Sequence, residues 1–249
     1  MTILKRGLAG VAVLVLLPFA GPGHAQIPDE FTNLKLLRKD IGKRELVSIM
    51  RDFATALGTR CNHCHVGEDT NSLEGYDFAS DEKEDKKVAR AMMEMMREIN
   101  TVLLPATKRE ELTAVRCVTC HRGLENPETL DRIVLAKAEE DGIEAAIDRY
   151  RELRDKYQGQ GAYDFSATTL SSVAETLART RQDVDGAIAI SKLNLEFNPE
   201  EPFAHLLLGQ LYMTKGDQPA AIASIERCLE LDPENRWAKQ MLEKARASE

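Results

Sequence analysis

Two five-residue segments, Cys61-Asn62-His63-Cys64-His65 and Cys117-Val118-Thr119-Cys120-His121, repeat the pattern Cys-x-x-Cys-His in a chain of 249 residues. No other feature restricts the chain as strongly. At this spacing two thiols reach the two vinyl groups of one haem while the adjoining imidazole lies under the iron. A structural zinc site built from Cys61, Cys64, Cys117 and Cys120 would span the whole segment from His65 to Arg116, against the usual ~15–20 residues between pairs, and would leave both histidines idle. Redox-active disulfides would need a thioredoxin-like βαβ pattern, which the flanking residues lack. The spacing therefore predicts two covalently bound c-type haems, attached through Cys61, Cys64, Cys117 and Cys120, with His65 and His121 as axial ligands.

The N-terminus supplies a matching context. Lys5 and Arg6 precede an apolar run from Leu8 to Ala20, followed by Gly23 and Ala25 at a cleavage-like junction. This reads as a signal peptide over residues 1–25, giving a periplasmic product that starts near Gln26. The run is short for a span of about 20 residues, so no membrane span is expected in the mature chain. A formal net charge of −8 leaves no positive field for a phosphate backbone and excludes nucleic acid as a partner. Aromatic residues are only 5% of the chain, with Trp237 the single tryptophan, which suits stacked helices or a core filled by a cofactor.

Apolar residues recur at helical spacing before each motif. Leu46, Met50, Phe53 and Leu57 form one stripe, and Val88, Met92, Met95 and Ile99 form another, so Met92 stands where Met50 stands. Gly58 is a C-terminal stop for the first helix, and Asp81 with Glu84 reads as a capping box at the start of the second. A methionine on such a stripe commonly fills gaps in a core, yet it also offers a thioether to an iron. Met213 and Met241 lie far downstream, Met93 points off the stripe, and Met95 rivals Met92. His63, inside the first motif, is expected to be solvated.

These segments resemble the cytochrome subunit of photosynthetic reaction centres. The likeness rests on Val88-Ala89-Arg90-Ala91-Met92-Met93-Glu94-Met95 with Ile99-Asn100, then Val118-Thr119-Cys120-His121-Arg122-Gly123; the unit from Ile49-Met50 to His65 matches more loosely. In that family a helix bearing the axial methionine precedes each attachment motif. The resemblance implies Met50 and His65 on one iron and Met92 and His121 on the other. The family's full subunit carries four haems, and this chain has two motifs.

From about Pro127 a 34-residue periodicity takes over. Its clearest copy, Pro202 to Asn235, places Leu208, Gly209, Tyr212, Gly216, Ala221, Ile225 and Pro233 in the slots of a tetratricopeptide repeat, which it resembles. Ala187 and Pro199 mark an earlier copy over 168–201, Ile143 to Tyr157 is the second helix of a fainter one, and Arg236 to Arg246 caps the end. Cys228 and His205 read as structural residues of the repeat. The expected architecture is all-α: a signal peptide over 1–25, a dihaem cytochrome c domain over 26–126 and a tetratricopeptide-repeat domain over 127–249. The function read from this is an exported electron carrier between redox partner proteins, with repeats for peptide or protein docking. The alternatives are a dihaem enzyme such as a peroxidase, or a repeat scaffold with accessory haems.

Overall fold

The computed structural model describes residues 27–68 and 72–247. The segment read as a signal peptide lies outside them. The described residues are helical, with one antiparallel bridge, between Val66 and Asp77, as their β pairing. No helix among them is long and apolar enough to cross a membrane. The chain divides into two units: Arg60–Leu112 with the chain up to Met50, and Arg51–Thr59 with the chain from Thr113 onward.

Helix α1 (Lys43–Leu57) begins in the first unit and ends in the second. Leu46 is the buried member of its apolar stripe, and Met50 is half-buried. The helix stops where the stripe predicts, at Gly58 in a left-handed conformation with φ +67°. The first motif forms a single turn, α2 (Cys61–Cys64), and a loop then leads to α3 (Glu84–Glu98).

That loop is built around a buried cation. Lys86 of α3 is only 9% exposed and donates to the carbonyls of Phe78, Ala79 and Ser80 at 2.9, 3.2 and 2.5 Å. Burying an ammonium is costly unless its charge and protons are met, and the Asp81 carboxylate at 3.3 Å completes the set. Asp81 also accepts from Lys35, Asn33 and Arg90 at 2.9, 2.8 and 2.8 Å. The expected Asp81–Glu84 capping box is therefore absent: Lys83 occupies the N-cap with no side-chain bond, because these partners claim the Asp81 carboxylate.

Helix α3 runs into a wide turn, Ile99–Leu103, closed by a bond from the Leu104 N–H to the Ile99 carbonyl, and then into the short α4 (Leu104–Ala106). Pro105 explains the widening. It has no N–H to continue the ladder, and its ring crowds the carbonyl four residues back.

The second unit opens with the second motif, α5 (Cys117–His121), followed by α6 (Leu130–Asp141), α7 (Ile143–Tyr157), α8 (Ala167–Thr180), α9 (Val184–Phe197), α10 (Pro202–Lys215), α11 (Gln218–Leu231) and α12 (Arg236–Ala247). The repeat register fixes these boundaries. Asp183 and Asp217, 34 residues apart, each cap a helix by accepting a backbone N–H, from Gly186 at 2.8 Å and Ala220 at 3.2 Å. Gly209 fills the small slot: a Cβ there would lie 2.6 Å from the side chain of Ile225. Tyr150, Leu170, Val173, Ile190, Ile225 and Cys228 are wholly buried between the helices. His205 is structural, as the repeat predicts, with Nε2 2.8 Å from the Pro199 carbonyl.

Candidate cofactor site

Each motif closes one helical turn preceded by an extended arginine, Arg60 or Arg116. In the first, the His65 N–H returns to the Cys61 carbonyl at 2.9 Å, so the imidazole leaves the turn directly after the second cysteine. In the second, the Thr119 hydroxyl accepts from the Arg116 N–H at 3.0 Å and tightens the entry. None of Cys61, Cys64, Cys117 and Cys120 is disulfide-bonded. Burial pushes the Cys117 thiol up, which keeps it in the S–H form.

The two histidines are held differently. His65 packs edge-on against Phe78, with ring centroids 5.1 Å apart. Burial, helped by the nearby Lys86 charge and opposed by the Phe78 backbone, lowers its pKa from 6.5 to about 4. The ring is neutral at ordinary pH, and its buried Nδ1 has no hydrogen-bond partner among the described residues. His121 has what His65 lacks: its Nδ1 lies 2.9 Å from the Leu124 carbonyl. His63 departs from expectation. It is half-buried rather than solvated, with Nε2 3.9 Å from an Asp85 carboxylate oxygen, because α3 starts alongside the first motif.

The methionine stripes also differ. Met50 is half-buried, whereas Val88, Met92 and Met95 on α3 are 49%, 42% and 50% exposed. Val102 and Leu103 continue this apolar face through the wide turn. Met92 belongs to the first unit and His121 to the second. The donor set fits a c-type haem: paired thiols not bridged by disulfides, a neutral imidazole at His65 with an orphaned buried ring nitrogen, a second imidazole at His121, and an uncovered apolar stripe carrying thioethers.

The family described as "Photosynthetic reaction centre cytochrome C subunit" matches residues 12–160, more than half of the chain. The chain belongs to that family. Membership implies covalently bound c-type haem. The "Photosynthetic reaction center cytochrome c subunit" of Rubrivivax gelatinosus is 35% identical over 107 residues, covering 42% of this chain. The match spans 25% of that relative's own length. A tetratricopeptide repeat matches residues 204–235, within the copy read from the periodicity. A solved structure described as "First TPR of Spaghetti (RPAP3) bound to HSP90 peptide SRMEEVD" aligns with 48% of this chain and 89% of its own, at 21% identity and a TM-score of 0.34.

Sequence reasoning named candidate thiols, imidazoles and thioethers. It did not find Phe78, Lys86 or the Leu124 carbonyl, which act through tertiary contacts that no local pattern announces.

Proposed function

We propose that the protein is an exported, periplasmic dihaem c-type cytochrome that passes single electrons between redox partner proteins, with the repeat helices as a docking module. The observation that carries this reading is the pair of Cys-x-x-Cys-His turns, each with unbridged thiols and a histidine at its exit. Cys61 and Cys64 would hold one haem and Cys117 and Cys120 the other, as thioethers. His65 with Met50, and His121 with Met92, would be the axial ligands, with Met95 the rival to Met92. Bound haem would supply a ferric/ferrous couple, and two protein ligands on each iron suit electron transfer rather than substrate binding.

The chain's own groups serve that role. Desolvation keeps His65 unprotonated, so its lone pair is available well below neutral pH. The Phe78 ring edge shields it from water, and Lys86 anchors the backbone that carries Phe78. At the second motif the Leu124 carbonyl accepts a hydrogen bond from Nδ1–H, which fixes the tautomer and would make the ring a stronger donor to an iron.

The enzyme alternative needs an open iron and a nearby proton-handling group. His63 beside Asp85 is the pair next to the first motif that would serve a peroxidase. Pyridine haemochrome analysis is expected to give two haems per chain. The far-red sulfur-to-iron band of the ferric protein should fall by about half in Met50→Leu and in Met92→Leu and persist in Met95→Leu. Rapid carbon monoxide binding by the reduced wild type would favour the enzyme.

A further inference from the structure

We infer that Gly58, at the end of the helix preceding the first motif, is a positioning residue for the imidazole of the second motif. The inference rests on the proposed haem-binding role of His121. Helix α1 closes with the Thr59 N–H bonded to the Ala54 carbonyl at 3.0 Å and Gly58 left-handed. A helix end leaves its last carbonyls without intrahelical donors. The carbonyl of Ala56, itself 3% exposed, is met from far along the chain by the N–H of Gly123 at 2.8 Å.

The approach is close enough to exclude a side chain. A Cβ on Gly58 would lie 2.2 Å from the Gly123 carbonyl oxygen and 3.0 Å from its carbon. Backbone cannot swing aside as a flexible side chain would. On the other side of the contact, Arg122 and Gly123 are consecutive left-handed residues, with φ 50° and 87°. They turn the chain back so that the Leu124 N–H meets the His121 carbonyl at 2.8 Å while the Leu124 carbonyl meets His121 Nδ1 at 2.9 Å. Leu124 is buried, 6% exposed. The contact sequence thus runs from Gly58 through Gly123 and Leu124 to the imidazole.

An ion pair of Arg116 with Asp52 at 3.8 Å, exposed by 68% and 62%, also spans these two segments. Such a pair contributes about 0–1 kcal/mol and sets no geometry. The glycine contact does. Disturbing it loosens the Nδ1–H to carbonyl bond, makes the ring a poorer donor, and favours the ferrous form of the haem that His121 ligates. A substitution three residues before Cys61 therefore acts on the haem of the other motif.

The test is a redox titration of the full-length two-haem protein. Gly58→Ala should change the reduction equilibrium of one haem by on the order of tenfold, an upward shift of about 59 mV in its midpoint. The shift should survive in Cys61→Ser/Cys64→Ser protein, which keeps only the second haem, and vanish in Cys117→Ser/Cys120→Ser protein. Gly58→Asn should repeat it, because asparagine tolerates the left-handed backbone and leaves only the collision. Gly159→Ala, at φ +77° with nothing within 4 Å of the added carbon, imposes backbone strain alone and should move neither haem.

A haem-loaded, helical Gly58 variant with both midpoints unmoved overturns the inference, as does a shift confined to the first haem. So does rapid hydrogen exchange of the Gly123 amide in the wild type, a measurement that needs no variant. A wild type that carries no haem defeats the proposed function instead, so the two failures are distinguishable.

Discussion

The repeat helices and the α3 region solve the same problem of covering apolar surface in opposite ways. From α6 to α12 the side chains cover one another, with Tyr150, Leu170, Ile190 and Ile225 wholly buried. In the first unit, Ile41 and Leu46 are the buried hydrophobic residues among those described, while Val88, Met92, Met95, Val102 and Leu103 stand exposed. Covering a side chain of this size contributes about 1.5–3 kcal/mol. The repeat half thus carries its own core, and the α3 region presents half of one, whose complement is the porphyrin under the proposed function.

Four measurements sharpen or break that contrast. The largest effect is expected from replacing all four motif cysteines with serine: the first unit should lose its cooperative thermal transition by circular dichroism while α6 to α12 keep theirs. Persistence of both transitions would show that the α3 region has a sufficient core of its own. Leu170→Ala should act in the opposite sense, lowering repeat-half stability by about 2–5 kcal/mol in denaturant melts and leaving the haem spectrum unchanged. Lys86→Met leaves three carbonyls without their cation and removes one of the cations around Asp81, so the first unit should lose about 1–3 kcal/mol, read from the loss of the far-red sulfur-to-iron band on heating.

The smallest effect is a pH dependence. Hydrogen bonds from Lys35, then Arg90 and Lys86, hold the Asp81 carboxyl well below its ordinary 3.8. A carboxyl depressed in the fold stabilises it fully above the ordinary value, and that contribution is lost as acid protonates it. The wild type should therefore lose first-unit stability as pH falls through and below 3.8, and Asp81→Asn should be less stable at neutral pH and flatter across this range.

The legibility of the chain follows the same contrast. In the repeat half each slot is filled by a local rule. The faint copy placed a helix over Ile143–Tyr157, where α7 stands, and the cap predicted from Arg236 is α12. Helix spacing likewise located α1 and α3 and put Met92 and Met95 on one stripe without choosing between them. The loop between the motifs escaped, because Asp81 and Lys86 find partners by tertiary contact, and an Asp three residues before a Glu reads as a cap when only neighbours are considered. Gly58 was legible as a helix stop; its collision partner, Gly123, lies beyond the reach of any periodicity.

Helix α1 bears on how such a chain is inherited. Its residues up to Met50 group with one unit and Arg51–Thr59 with the other. Recombination exchanges modules by cutting at linkers, and any cut that separates these units must pass through a continuous helix. Swapping in a foreign repeat array beyond Pro127 keeps the bond between the Gly123 N–H and the Ala56 carbonyl, whereas exchanging the second motif independently of α1 would lose it. The repeat array can therefore change without disturbing the attachment turns, while the second attachment turn is tied to the end of α1.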